Sequence, residues 1–99
     1  MFVTVSIYRA KAGEEDAVIA LHEYWQRNQQ ARAQGYLSGE LLRNIQSPRE
    51  FIAIMRFESQ QAAQVAVNNP EQATWQRRLV SLTESVSVPI DCNSEWQTR

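Results

Sequence analysis

Cysteine is scarce in this sequence of 99 residues: Cys92 is the only one, which excludes an intrachain disulfide. Long hydrophobic runs are also absent, because no apolar stretch approaches the roughly 18 residues that a membrane span needs. The N-terminus lacks the cationic region and apolar core of a secretory signal. We therefore predict a cytoplasmic protein with no membrane partner.

Neither sign of charge dominates, since ten basic and eleven acidic residues give a formal net charge of −1. The one local basic cluster, Arg77 and Arg78, is too small for a phosphate footprint, so nucleic acid is not a predicted partner. His22 is the only histidine. A single histidine without clustered cysteines offers too few ligands for a dedicated metal site, and we predict none.

The length is typical of one domain. We assign residues 1–92 to a single domain and residues 93–99, which are polar apart from Trp96, to a C-terminal tail. Segments rich in β-branched and aromatic residues predict four strands within the domain. These strands cover residues 2–9, 36–45, 50–59 and 85–92.

A long helix is predicted between the first two strands. Gly13 is its predicted N-cap, Arg32 complements its last turn, and Gly35 is the left-handed residue that ends it. Its apolar residues form one stripe, with Val18 at the edge and Ile19 pointing away. The stripe comprises Ala17, Ala20, Leu21, Tyr24 and Trp25.

Two shorter helices are predicted between the third and fourth strands. Ser59 caps the first, which covers residues 60–67. Asn69 caps the second, with Pro70 at its first position and Gln72 three residues after the cap. The second helix repeats apolar residues with the spacing of one helical face, which predicts a buried stripe of Trp75, Leu79 and Leu82.

The order of strand, helix, strand, strand, helix pair and strand predicts an α+β fold. It is the ferredoxin-like split βαβ arrangement, a four-stranded antiparallel sheet with the helices on one face. The spatial strand order 4-1-3-2 places the fourth strand at an edge. Pro89 requires the same position, because proline cannot donate a hydrogen bond to a ladder.

The third strand has no polar face. Alternate side chains of a strand point to opposite faces, and here one face carries Phe51 and Phe57 while the other carries Ile52 and Ile54. The helices can cover only one of these faces. An uncovered apolar face marks an interaction surface, so we predict a homodimer that packs sheet against sheet about a two-fold axis.

Three stretches of the sequence resemble the antibiotic-biosynthesis monooxygenase (ABM) superfamily: "GYLSGELLR", "FIAIMRFES" and "AAQVAVNNPEQATWQRRL". The resemblance covers about residues 1–92. It implies a dimeric α/β barrel with a pocket between each sheet and its helices. Some members are cofactor-independent oxygenases that turn polycyclic phenols into quinones, others bind and cleave haem, and many have no assigned activity.

The haem-degrading branch of the family uses an Asn on the first strand and a Trp and a His in the later helices. The present sequence has Ser6 at the first of these positions, Ala66 near the second and Gln76 near the third. None of the three matches, and the later helices contain no axial haem ligand of the usual types. The resemblance therefore implies a protein that acts without a bound cofactor.

Arg56 is the first candidate for a catalytic role. It lies in the middle of the third strand, and burial without a partner would cost several kcal/mol. Either it pairs with a carboxylate, or it lies beneath the pocket and binds an anionic group of a ligand. The candidate carboxylates are Glu58, Glu40 and Asp91.

His22 and Tyr8 are candidate proton acceptors, although His22 also fits the edge of a buried helical stripe without any chemical role. Ser6 fits a polar pocket floor and an interior hydroxyl bonded to its neighbours equally well. Trp75 and Trp25 fit the core of the domain. Both are also candidates for the substrate pocket, with Trp75 as a wall on which a flat ligand stacks.

Two functions remain open at this point. The first is a small monooxygenase that oxidises an aromatic or phenolic molecule in the pocket without a cofactor, with Arg56 stabilising the developing negative charge. The second is a non-catalytic ligand-binding or stress-response dimer on the same α/β-barrel fold. The small number of acid and base groups favours the second, since a fold alone does not confer a function.

Overall fold

The computed structural model describes residues 1–28 and 34–98 of the chain. The described residues form five strands and three helices, which follow the predicted order except that two strands replace the last one. The strands are β1 (Phe2–Ala10), β2 (Tyr36–Arg43), β3 (Glu50–Phe57), β4 (Thr83–Val86) and β5 (Ile90–Asn93). The helices are α1 (Glu15–Asn28), α2 (Gln60–Val67) and α3 (Pro70–Leu82).

The strands form one antiparallel sheet in the order β2-β3-β1-β4. Strand β5 also pairs with β1, along residues 2–5, whereas β4 pairs with residues 8–10. In the central pair, Val5 is opposite Ile54 and Ile7 is opposite Ile52. The predicted ferredoxin-like arrangement is therefore confirmed, with β1 and β3 inside the sheet and the last strands at its edge.

The last strand differs from its prediction as one segment, because it is divided into β4 and β5. Both halves pair with β1. The interruption comes at Ser87, whose hydroxyl accepts a hydrogen bond from the Ile7 backbone N–H at 2.8 Å. Pro89, two residues later, has no N–H with which to resume the ladder.

Helix α1 begins at Glu15, so Gly13 precedes it in a left-handed turn with φ 85° and is not the N-cap. The buried face is also rotated from the predicted stripe. Val18 is fully buried, whereas Tyr24 is 54% exposed and Ile19 packs against the core. Gly35 has the predicted left-handed backbone, with φ 81°. The predicted last turn, with Arg32, lies outside the described residues.

The caps of α2 and α3 are confirmed. The Ser59 side chain accepts a hydrogen bond from the Ala62 N–H at 3.1 Å, and that of Asn69 accepts one from the Glu71 N–H at 2.9 Å. These bonds satisfy donors that a helix N-terminus leaves unpaired. The predicted stripe of α3 is also confirmed, since all three of its apolar residues are buried: Trp75, Leu79 and Leu82.

The helices pack on the face of the sheet that carries Phe51, Ala53 and Phe57, and their apolar side chains form two core clusters with it. On the other face the side chains of Val5 and Ile54 remain partly exposed in the single chain. Within residues 1–28 and 34–98, no helix has the length and apolar character that a membrane crossing requires.

Candidate functional site

A cavity of about 1040 Å³ lies between the sheet and the helices. Alternation along β1 and β3 places every second side chain in its floor. The floor includes Phe2, Thr4, Ser6, Tyr8, Ala53 and Met55. Helix α1 contributes His22 and Trp25 to the walls, and α3 contributes Trp75. Five of the six residues predicted for the site therefore meet in one cavity.

His22 on the wall of the cavity and Tyr8 on its floor form a hydrogen-bonded pair. The Nδ1 atom of His22 lies 3.0 Å from the Val18 carbonyl oxygen, and its Nε2 atom lies 3.2 Å from the Tyr8 hydroxyl. A carbonyl oxygen can only accept, so Nδ1 carries the proton of the neutral ring. Nε2 is then the acceptor, and the Tyr8 hydroxyl donates to it.

Burial keeps both members of this pair uncharged. It lowers the pKa of His22 below its usual 6.5, and the hydrogen bond with Val18 opposes this shift only in part. Burial also raises the pKa of the Tyr8 hydroxyl far above its usual 10.0. At neutral pH the imidazole is thus neutral, and its Nε2 lone pair, which accepts the hydrogen bond from Tyr8, can take up the Tyr8 proton when the Tyr8 oxygen receives another.

Trp75 and Trp25 are fixed walls of the cavity. The Trp75 indole N–H donates to the Leu21 carbonyl at 2.9 Å, and its ring meets that of His22 edge to face at 5.0 Å between centroids. The Trp25 indole N–H donates to the side-chain oxygen of Gln72 at 2.7 Å. Gln72 therefore binds Trp25 across the helices, instead of completing the cap of α3.

Arg56 occupies the face of β3 opposite to the cavity. Its neighbours Met55 and Phe57 line the cavity, so the alternation of the strand directs Arg56 away from it. Its guanidinium lies 3.4 Å from the Glu40 carboxylate, and the Arg56 side chain is 32% exposed. The predicted position beneath the pocket is wrong, and of the carboxylates considered as partners Glu40 is the one that pairs with it.

Sequence reasoning did not identify the amide side chains that line the helical wall of the cavity. They are Gln26, Gln60, Gln64, Asn68, Gln72 and Gln76. From residue 60 to residue 76 they recur at every fourth position, which is a helical period and was a usable signal. Tyr36, which lines the cavity from the start of β2, was also missed as a site residue.

The positions aligned with the haem-degrading branch of the ABM superfamily also lie on this cavity: Ser6, Ala66 and Gln76 all line it. Within the part of the chain that the structure describes, histidine, cysteine and acidic residues form no group of three or more that could hold a metal ion.

A family model described as "Antibiotic biosynthesis monooxygenase" matches residues 1–78 of the chain. The comparison with curated proteins found no match to this chain. Several solved structures share the fold at low sequence identity. Rv0793 from Mycobacterium tuberculosis superposes with a TM-score of 0.82 at 14% identity, covering 99% of this chain and 98% of that one.

Two further structures have the same fold. A variant of SnoaB, a cofactor-independent oxygenase from Streptomyces nogalater, has a TM-score of 0.78 and 17% identity over 97% of this chain and 94% of its own. Protein SO0527 from Shewanella oneidensis has a TM-score of 0.76 and 19% identity over 93% of this chain and 92% of its own. At such identities the likeness concerns the fold alone.

Proposed function

We propose, since the chain belongs to the antibiotic biosynthesis monooxygenase family, that it oxidises a phenolic aromatic molecule in the cavity with O₂ and without a bound cofactor. The observation that carries the proposal is the Tyr8–His22 pair on the cavity wall beside Trp75. SnoaB, which shares the fold, is itself a cofactor-independent oxygenase.

The pair supplies the base that this reaction needs. A substrate phenol donates its proton to the Tyr8 oxygen while the Tyr8 hydroxyl proton moves to His22 Nε2. The products are a phenolate and an imidazolium within the same cavity. A phenolate is far more electron-rich than a phenol, so it is the form that reacts with O₂. Proton transfer by a positioned side chain contributes roughly 10²–10⁴-fold to a rate.

The substrate can supply all the electrons for the reaction. A phenol with a free para position takes up one O₂, one oxygen atom becomes the second carbonyl of a quinone, and the other leaves as water. The phenolic hydrogen and the para hydrogen provide the two hydrogens of that water. Four electrons leave the substrate and four reduce O₂, so no external reductant is required.

Oxygen uptake tests this function. We expect the wild-type protein to consume O₂ above the spontaneous rate with a panel of mono- and polycyclic phenols that have a free para position. Tyr8→Phe and His22→Asn should lower that rate by roughly 10²-fold or more, because each interrupts the proton path. Asn at position 22 retains a donor for the Val18 carbonyl and removes the Nε2 acceptor.

Tyr24→Phe is the matched control, since Tyr24 lies on the same helix as His22 and its side chain is 54% exposed outside the cavity. Its rate should equal that of the wild type. Uptake at the background rate with every phenol, or full activity in both Tyr8→Phe and His22→Asn, would contradict the proposal.

A second function, binding of a flat ligand without turnover, is favoured by the amide side chains of the helical wall. Amides donate and accept hydrogen bonds without exchanging protons. In that case flat aromatic compounds should raise the melting temperature of the protein while no oxygen is consumed. That result would identify the protein as a ligand-binding or stress-response dimer. A thermal-shift screen run beside the oxygen electrode separates the two functions.

The proposed assembly is a homodimer in which the outer faces of two sheets pack together. The surface left without a helix carries apolar residues of both central strands: Val3, Val5, Ile7, Ile52 and Ile54. Such a contiguous apolar face is typical of an interface. The Arg56–Glu40 pair lies on this same face and gives it one polar feature.

A further inference from the structure

Tyr36 crosses the cavity from its floor to its wall. The centroid of its ring lies 5.1 Å from the centroid of the Trp25 ring on α1 and 5.6 Å from that of the Phe57 ring on β3. Both contacts are edge to face. Its hydroxyl donates to the side-chain oxygen of Gln26 on α1 at 3.3 Å. A ring that contacts both layers narrows the space between them.

The position of this ring coincides with the boundary between the two core clusters. The larger cluster contains Tyr8, Trp25 and Trp75, and the smaller contains Phe2, Phe57 and Ala63. Of the described residues that are partly buried, Tyr36 and Met55 are the two that pack against both clusters. The cavity thus has a reactive end, which contains Tyr8 and His22, and a distal end beside the alanines of α2.

Gly39 leaves room for the ring, and Gly35, the residue before Tyr36, lets the chain pass close to α2. A Cβ atom on Gly39 would collide with the Tyr36 hydroxyl, so only glycine leaves room for the ring above this point of β2. On Gly35, a Cβ atom would lie 2.6 Å from Cβ of Ala62, and the backbone φ of 81° also favours glycine. The Gly35 carbonyl accepts a hydrogen bond from the Glu58 N–H at 2.7 Å, which fixes the start of the strand.

The volume of the cavity makes this narrowing relevant to the size of ligand that fits. At about 1040 Å³ it slightly exceeds the range of roughly 300–1,000 Å³ that is usual for the pocket of one small ligand.

Glycine inside a strand weakens the strand, because it adds no side-chain packing and has the largest conformational freedom to lose. A cavity that needs a glycine at position 39 to seat Tyr36 therefore accepts a cost in stability to place a ring there.

We propose that Tyr36, seated by Gly39, is the residue that determines the length of ligand the cavity accepts. The ring narrows the passage between the reactive end and the distal end, so a ligand that fits within the reactive end is favoured. The identity of the reactive end rests on the proposed function, but the limit on length does not. The preferred ligand class is compact phenols of about two rings, which bind more tightly than elongated ring systems.

Binding of para-blocked phenols tests this limit apart from any turnover, because a substituent at the para position prevents conversion to a para-quinone. The probes are 4-phenylphenol, with two rings in line, and 4-hydroxy-p-terphenyl, with three. Their Kd values can be measured by quenching of indole fluorescence, since Trp25 and Trp75 line the cavity. We expect the wild-type protein to bind the two-ring probe about tenfold more tightly than the three-ring probe.

Tyr36→Ala should abolish or invert this preference, because the ring is removed. Gly39→Ala should act in the same direction, because the new methyl group displaces the Tyr36 ring. Tyr36→Phe retains the ring and should keep the wild-type ratio, as should Tyr24→Ala, which removes an exposed tyrosine from α1. Gly39→Ala alone should lower the melting temperature, and it should cost much less in the Tyr36→Ala background, where the collision is absent.

Three results would overturn the proposal. The first is a wild-type ratio of Kd values in folded Tyr36→Ala, and the second is a Tyr36→Phe variant that changes the ratio as much as Tyr36→Ala does. Failure of both probes to bind either the wild type or Tyr36→Ala would overturn it as well. These outcomes are independent of oxygen uptake, so a failed length limit leaves the proposed oxidation standing, and a failed oxidation leaves the length limit standing.

Discussion

At the scale of single residues, the proposed chemistry depends on one histidine and the tyrosine that is hydrogen-bonded to it. Histidines at the edge of a helical stripe often have no chemical role. Here the Val18 carbonyl fixes the tautomer by accepting from Nδ1 at 3.0 Å, and the imidazole and the Trp75 indole meet edge to face. The imidazole therefore presents Nε2 to Tyr8 in a defined orientation, which a base must have to act on a bound molecule.

The lowered pKa of His22 has a consequence for stability. In the unfolded chain the residue has its usual pKa of 6.5, and in the folded chain burial lowers that value. Between the two pKa values the unfolded state binds a proton that the folded state does not bind. The stability that neutral His22 contributes is therefore present above pH 6.5 and lost as the pH falls through the folded pKa.

We expect the free energy of unfolding of the wild type to decline from pH 6.5 downward more steeply than that of His22→Asn. Urea titrations of both proteins across this range measure the difference. Glu84, whose pKa is lowered mainly by a hydrogen bond from Arg49, loses its contribution below its usual 4.5 and does so in both proteins. Parallel pH profiles for the two proteins would show that His22 is not buried in its neutral form.

Residue types and strand alternation foresee a large part of this site. They place Ser6 and Tyr8 on one face of β1, and the cavity is on that face. The same alternation separates Arg56 from Met55, so its position away from the cavity was available from the sequence. Tyr36 was harder to anticipate, because its proposed role depends on tertiary contacts with Trp25 on α1 and Phe57 on β3, which local sequence patterns do not encode.

At the scale of elements, local signals predict where α2 and α3 begin. Ser59 and Asn69 cap those helices with their own side chains, and such bonds form within a few residues of sequence. The face that a helix buries is decided by tertiary packing instead. In α1 the Trp25 indole is buried because Gln72 on another helix accepts its N–H, whereas Tyr24 beside it is left exposed.

The division of β4 from β5 is a further element that the sequence pattern did not predict. Alternating apolar residues run without interruption from Val86 to Cys92. The break depends on a side-chain hydroxyl, that of Ser87, which takes the place of a ladder acceptor for Ile7. Hydrophobic periodicity carries no information about such a substitution, although Pro89 marks the place where the ladder cannot resume.

At the scale of the whole molecule, the open face of the sheet is the main argument for a dimer. Ile7 is 40% exposed and Ile90 is 53% exposed in the single chain, although both belong to strands. Leaving apolar surface in water costs roughly 25 cal/mol for each Å². In the proposed dimer, packing two such faces together would remove this cost and would build a barrel from two sheets, each with its own cavity on the side away from the partner.

We expect sedimentation at low micromolar concentration to give twice the monomer mass of 11.4 kDa. Ile54→Asp, at the centre of the open face, should shift the protein to the monomer, because a carboxylate would be buried there without a partner. Val80→Asp, on an exposed position of α3, is the matched control and should leave the dimer intact. A stable, folded wild-type monomer at this concentration would contradict the assembly.

Oxygen-18 labelling tests most directly whether a phenol bound in this cavity is oxidised by O₂, with the phenol supplying all the electrons. The purified protein is given ¹⁸O₂ and a phenol with a free para position, with no reductant added. We expect one ¹⁸O atom in each quinone formed, one O₂ consumed for each quinone, and loss of both signals in His22→Asn. Quinone without ¹⁸O, or no quinone above the spontaneous rate, would contradict the account.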